Sequence, residues 1–288
     1  MEIVVFGAGS LGSLLGGLLA REHEVTLVGR DPHVRAVSES GLSLSGHVEA
    51  AVEPAATTDG GGLDADVAAV TVKAYDTEQA AGTLETGSFD AVLSLQNGLG
   101  NEKRLAAHLD CPVLAGTATY GARLVDPGHV ECTGVGEVAL GPTGGGASTL
   151  ADRVAEAFDD AGVRTRAADD MARRLWEKLA VNAGINPVTA LARVRNGALD
   201  GGPIGGVARR AARETARTAR AEGVQLSDDA ALTPLEDVIE TTAENRSSMR
   251  QDIEAGHRTE IDAVSGAVVD RAADHALDVP TNETLAGL

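Results

Sequence analysis

The sequence predicts an α/β protein in two parts: an N-terminal Rossmann-type dinucleotide-binding domain over residues 1–168 and an all-helical C-terminal domain over residues 169–288. Three observations carry this. A short apolar run from Glu2 to Phe6 leads into Gly7-Ala8-Gly9-Ser10-Leu11-Gly12 and then a helical apolar pattern. Further short apolar runs alternate with helical or loop stretches, as in a parallel sheet with crossover helices. From about Met171 the strand signals fade and helical periodicity dominates. A chain of 288 residues is long enough to bury two cores.

The first strand and its loop are the strongest local signal. Gly7, Gly9 and Gly12 fit G-x-G-x-x-G between a strand and a helix. The first glycine permits the tight turn, the second lets the backbone approach a pyrophosphate, and the third lets helix pack on strand. The helix start then offers N–H donors and the positive end of its dipole to phosphate. The second strand, Val25 to Val28, ends at Gly29-Arg30-Asp31. An NAD enzyme usually carries an acid there for the ribose. Arg30 instead suits a 2′-phosphate, which favours NADP, while Asp31, one residue out of register, keeps NADH open.

Strands are expected at residues 67–72, 91–95 and 113–118, with an antiparallel strand within 134–141 closing the sheet and a helix from about 149 to 161. Lys73 and Asn97 fall at the carboxyl ends of two of these strands, where doubly wound sheets bind ligands. Gly98 and Gly100 give the backbone after Asn97 room for close approach.

Helices are expected over roughly 171–191, 204–222, 232–255 and 259–276. In the first, Lys178, Asn182 and Asn186 are spaced i, i+4, i+8 and share one face among apolar neighbours. Polar groups so placed need partners or a polar ligand. Pro187 is expected to free an upstream carbonyl and bend the helix. Asn245 and Ser248 lie in a polar cluster farther on. Thr259 and Asp262 read as a capping box, which by itself accounts for Glu260 as a first-turn acid. Arg209, Arg213, Arg217 and Arg220 form a stripe read as a solvated face.

Composition excludes several classes. The net charge is −19, against generic nucleic-acid or anionic-membrane binding. Of 24 basic residues only Lys73, Lys103 and Lys178 are lysine, the rest arginine. This balance fits adaptation to high salt, where screening relieves self-repulsion. Where lysine persists in such a chain, arginine is a poor substitute. Cys111 and Cys132 have no metal-type spacing, so neither a disulfide framework nor a metal site is expected. Without a signal-peptide pattern or an apolar run of membrane-spanning length, the chain reads as cytoplasmic.

With these residues assembled, the chain resembles the ketopantoate reductase (2-dehydropantoate 2-reductase) family over essentially its full length. The resemblance rests on Gly7-x-Gly9-x-x-Gly12, Val72-Lys73-Ala74, Gln96-Asn97-Gly98-Leu99-Gly100, Trp176 to Asn182 with Ile185-Asn186-Pro187, Asn245-x-Ser247-Ser248-Met249-x-Gln251-Asp252, and Thr259-Glu260-Ile261-Asp262. Six matches in order are far more specific than any one.

The resemblance implies an NADPH-dependent reduction of 2-dehydropantoate in pantothenate and coenzyme A synthesis, with the active site in the cleft between a Rossmann and a helical domain. It implies that Lys178 is the general acid and that Glu260 orients the developing hydroxyl or the lysine. Asn182, Asn186, Asn196, Asn245 and Ser248 would bind substrate, Lys73 and Asn97 would border nicotinamide and cleft, and Arg30 would take the 2′-phosphate. An unperturbed lysine is protonated at neutral pH, as an acid should be. The partner implied is a small 2-oxo acid, with no nucleic acid or membrane, and a homodimer is left open. Two alternatives stand beside this: a reductase for another 2-oxo or 3-oxo acid, and a cofactor-sensing protein without chemistry.

Overall fold

The computed structural model describes residues 1–288, which form two compact units. One comprises residues 1–96 and 100–171; the other comprises 172–288 together with the three-residue segment Asn97–Leu99.

In the first unit the elements follow in order as β1 (Glu2–Phe6), α1 (Ser10–Leu19), β2 (Glu24–Val28), α2 (His33–Ser40), β3 (Leu42–Gly46), β4 (Ala50–Val52), β5 (Ala55–Thr57), β6 (Asp64–Val70), α3 (Thr77–Leu84), β7 (Ser88–Ser94), α4 (Asn101–Ala106), β8 (Val113–Ala118), β9 (Gly121–Asp126), β10 (His129–Gly134), β11 (Val138–Pro142), α5 (Thr149–Asp160) and β12 (Thr165–Ala167). Eight strands make one sheet in the order β12-β11-β8-β7-β6-β1-β2-β5. Its pairings are parallel except β11, which runs antiparallel to β8. Both faces are covered. Ile3 and Val5 pack with Leu14, Leu15 and Leu18 of α1, while Val4 packs on the other side with Ala68, Val70 and Leu84. Strands buried on both faces read as continuous apolar runs, which is why β1, β2, β6, β7 and β8 were predictable.

A second sheet, β4-β3-β10-β9, was not predicted. Its strands carry no long apolar run: Ser, Thr, Gly or charged residues interrupt β3, β9 and β10, and β4 has three residues. Helix α1 packs against both sheets through two glycines: a Cβ on Gly16 would meet Leu27 at 2.4 Å, and one on Gly17 would meet Leu44 at 2.9 Å.

His33, at the start of α2, pins three parts of this unit. The Gly128 N–H donates to its Nδ1 (3.0 Å), so the ring proton sits on Nε2 and points at the Ser13 hydroxyl (2.9 Å). Burial holds its pKa below the ordinary 6.5. Between the folded and unfolded pKa values the unfolded chain binds the extra proton, so stability falls as pH drops below 6.5. Thermal unfolding between pH 7 and 5 should therefore show a steeper acid loss for wild type than for His33→Gln. Equal slopes would sink this assignment.

The second unit is helical: α6 (Met171–Ala192), α7 (Gly202–Ala221), α8 (Asp228–Thr241), α9 (Ser248–Glu254), α10 (Ser265–Asp274) and α11 (Pro280–Ala286), with 3₁₀ turns at Asn196–Leu199 and Ile261–Ala263. Buried Ala208, Ala211, Ala212, Ala216 and Ala219 let α7 pack closely, so 2% aromatic residues suffice for the chain.

Helix α6 forms over the expected span with Pro187 inside it, while two later expectations are corrected. The Thr189 hydroxyl, which donates to the Ile185 carbonyl (2.7 Å), also meets the buried Ser247 hydroxyl (2.7 Å), while Ile185 and Val188 are held in the apolar core. The helix expected over 232–255 divides into α8 and α9, because Ala243–Ser247 turns aside to pair with the stretch after α6: Asn196 N–H donates to Asn245 O and Gly197 N–H to Ala243 O, both at 3.0 Å. The helix expected from 259 begins at Ser265, and no capping box forms. Thr259 Oγ1 accepts from Ile261 N–H (3.4 Å), and Asp262 pairs with Arg258 (3.0 Å). The arginine stripe of α7 faces solvent as expected, with Arg213, Arg217 and Arg220 exposed, and it pairs with α8 through Arg209–Glu236 and Arg220–Asp228.

Candidate active site

The glycine loop leaves β1 at Phe6. Gly7 has φ +121°, and a Cβ there would lie 2.6 Å from Val72 N. A Cβ on Gly12 would lie 2.3 Å from Gly7 O. Gly9 differs: its nearest neighbour would be Gly7 O at 4.0 Å, so space stands open beside it. Ala8 is buried, and Leu11 packs against the core. Ser10 Oγ accepts the Leu124 N–H (3.1 Å), bringing β9 beside the start of α1, a neighbour that the sequence did not reveal. Helix α1 carries no side-chain cap and no first-turn acid. An open second glycine and an uncapped helix start fit a pyrophosphate.

Arg30 lies two residues beyond β2 and pairs with Asp76 at 3.0 Å. Asp31 is exposed. Lys73 is half-buried and precedes the 3₁₀ turn Ala74–Asp76 that follows β6. Lys103 is exposed in the last turn of α4. A buried polar cluster gathers around Gln96, just after β7. The Gln96 amide donates to Val72 O (3.1 Å) and Thr77 Oγ1 (2.8 Å), and that hydroxyl lies 3.0 Å from Asn101 Oδ1. Glu102 is also buried, and desolvation raises its pKa despite a hydrogen bond from Ser94. Sequence reasoning passed over Glu102, because a glutamate in a first helical turn ordinarily faces solvent.

In the helical unit, α6 presents Lys178, Asn182 and Asn186 on one face; the first two are half-buried and the third is buried. Glu260 is 7% exposed. Its Oε2 accepts from Asn97 Nδ2 at 3.2 Å, joining residues 163 apart. Gly98 is what lets Asn97 reach it: φ is +86°, and a Cβ would lie 2.4 Å from Ala263 O. Lys178 has its pKa pushed down to about 8 by desolvation, against which the Glu260 carboxylate raises it. This corrects the expectation of an unperturbed lysine. The value lies closer to neutral, where a general acid works best, and leaves roughly 90% of the group protonated at pH 7.

Asn196 is buried; its Nδ2 donates to Thr242 Oγ1 (2.8 Å), and its Oδ1 is buried without a protein partner. Asn245 is exposed and holds Asn196 through the backbone. Ser248 is exposed at the first position of α9, whereas Ser247 caps that helix by accepting from Arg250 N–H. A cavity of about 380 Å³ between α2, β3 and the turn at Pro127 and Gly128 contains none of these residues. No helix is long and apolar enough to cross a membrane.

A doubly wound sheet with a glycine loop at its first strand, and a helical unit bearing a lysine tuned by a carboxylate, place the chain among Rossmann-type oxidoreductases. The sequence profile described as "Ketopantoate reductase PanE/ApbA" matches residues 3–145, and "Ketopantoate reductase PanE/ApbA C terminal" matches residues 170–288. The chain belongs to the ketopantoate reductase family. It is 45% identical over 296 residues to the 2-dehydropantoate 2-reductase of Halobacterium salinarum, covering 100% of this chain and 97% of that protein. The crystal structure of the PanE/ApbA family ketopantoate reductase of Ralstonia eutropha JMP134 superposes with a TM-score of 0.91 at 34% identity, over 100% of this chain and 96% of that one. A D-mandelate dehydrogenase in complex with NADH superposes with a TM-score of 0.89 at 25% identity, over 100% and 97%.

Proposed function

We propose that this chain reduces 2-dehydropantoate to pantoate with NADPH in the cytoplasm, a step toward pantothenate and coenzyme A. The first unit would take the cofactor, and the helical unit the substrate and the proton chemistry. The observation that carries the reading is the arrangement of Lys178, Glu260 and Asn97: a desolvated ammonium near pKa 8, a buried carboxylate that supports its charge, and an amide that orients the carboxylate.

The Gly7–Gly12 loop would hold the pyrophosphate, Arg30 the 2′-phosphate, and Lys73 and Asn97 the nicotinamide side. The bound nicotinamide supplies the hydride. Lys178 holds its proton at Nζ and gives it to the C2 carbonyl oxygen of the substrate, where its charge also stabilises the developing alkoxide. Glu260 keeps Lys178 charged and accepts from the new hydroxyl. Asn182, Asn186, Asn196, Asn245 and Ser248 would bind the substrate's carboxylate and hydroxyl and so fix the carbonyl before Lys178.

A second reading, reduction of a different 2-oxo acid with NADPH or NADH, is favoured by the likeness to D-mandelate dehydrogenase. The strongly acidic composition supports operation in concentrated salt. Cofactor oxidation with 2-dehydropantoate and a panel of 2-oxo and 3-oxo acids, in low and molar salt, separates these readings. The expected result is the highest kcat/KM with 2-dehydropantoate. Better turnover of another acid would replace the substrate, and cofactor binding without turnover of any acid would favour a sensing role.

A further inference from the structure

The Arg30–Asp76 ion pair is not needed by the chemistry above, and an exposed pair of this kind contributes little to stability. Its position gives it another meaning. β1 lies between β2 and β6, with Phe6 in register with both Val28 and Val70. Arg30 follows β2 by two residues and Asp76 follows β6 by six. The pair therefore spans the carboxyl end of β1, where the glycine loop departs.

Asp76 occupies the N-cap position of α3, yet makes no side-chain cap. An aspartate there ordinarily accepts from the first amides of its helix. This one is turned toward Arg30, with Oδ2 at 3.0 Å from Nη2. The guanidinium side chain is 85% exposed and Asp76 25%. The acid is thus the more fixed of the two, and the arginine comes to it.

We propose that Asp76 is a cofactor-specificity residue that opposes Arg30. It engages the guanidinium on which a 2′-phosphate would sit and sets a like charge beside that phosphate. A ribose with a free 2′-hydroxyl brings no charge and leaves the pair intact. Asp76 therefore penalises NADPH and not NADH, and narrows the preference that Arg30 creates. The inference rests on the reading of Arg30 as the 2′-phosphate site.

Titration of both reduced cofactors into the full-length protein at low salt, read by nicotinamide fluorescence, tests this without needing a substrate. Asp76→Asn keeps the shape and removes the charge. It should tighten NADPH about five- to tenfold, the scale of one like-charge contact in a solvent-exposed setting, while NADH changes less than about twofold. Asp76→Ser should act in the same direction. Arg30→Ala should weaken NADPH selectively. If Arg30→Ala lowers the NADPH-to-NADH ratio and neither Asp76 variant raises it, the role of Asp76 is overturned and the phosphate site stands. A ratio that rises only because NADH weakens also overturns it, since Asp76 would then be a ribose ligand. If no variant moves the ratio, the Arg30 assignment falls as well.

Discussion

Replacing Lys178 with alanine should lower kcat by about 10²- to 10⁴-fold, the usual contribution of a positioned general acid, and leave NADPH affinity nearly unchanged. Lys178→Arg should fail almost as badly. A guanidinium, whose pKa lies far above neutral, keeps the charge but is a poor proton donor. That contrast gives a physical reason for a lysine at this place in a chain that otherwise takes arginine as its cation. Because the protonated form is the active one, kcat should decline as pH rises through about 8. The Glu260 charge raises the lysine pKa, so Glu260→Gln should move that decline to lower pH. Steady-state kinetics across pH 6–10 reads all of this. Surviving turnover in Lys178→Ala, or an alkaline limb unmoved in Glu260→Gln, would show that the proton comes from elsewhere.

Gly98→Ala is expected to damage both stability and chemistry. The added Cβ meets a left-handed backbone, φ +86°, and a backbone carbonyl, Ala263 O, at 2.4 Å. A carbonyl in a 3₁₀ turn cannot swing aside as a side-chain tip can. Strain and overpacking together should cost roughly 2–4 kcal/mol, lowering Tm by about 5–15 °C. Relief by retreat of the loop would pull Asn97 away from Glu260, so kcat should fall as well. Calorimetry and kinetics on the purified variant decide it: an unchanged Tm would mean that the close approach of Gly98 to Ala263 is absent.

The site was legible where spacing along one element carried the information. Lys178, Asn182 and Asn186 share a face because a helix repeats every 3.6 residues, and the glycine loop follows a strand because nothing else fits the turn. Glu260 was not legible from its surroundings. Locally it reads as a first-turn acid, and only its bond to Asn97 shows a buried carboxylate held for another purpose. Glu102 was missed for the same reason: nothing beside it in sequence distinguishes it from a solvated glutamate. Its burial comes from a cluster assembled from α3, the end of β7 and α4.

The break between α8 and α9 shows a similar limit. Residues 242–247 contain neither glycine nor proline and suit a helix as well as a loop. Two backbone bonds to the stretch after α6 decide for the loop. The β4-β3-β10-β9 sheet escaped because its longer strands, β3, β9 and β10, lack the continuous apolar runs that mark strands buried on both faces.

The sequence by itself determined the doubly wound sheet, the glycine loop, the helical second unit and the polar face of α6. All are periodic patterns of burial, and periodicity is a property of neighbours along the chain. Tertiary structure decided the pairing of Asn97 with Glu260, the lowered pKa of Lys178 and the turn of Asp76 toward Arg30. Each depends on the distance and desolvation between groups far apart in sequence, which are fixed only when the chain has packed.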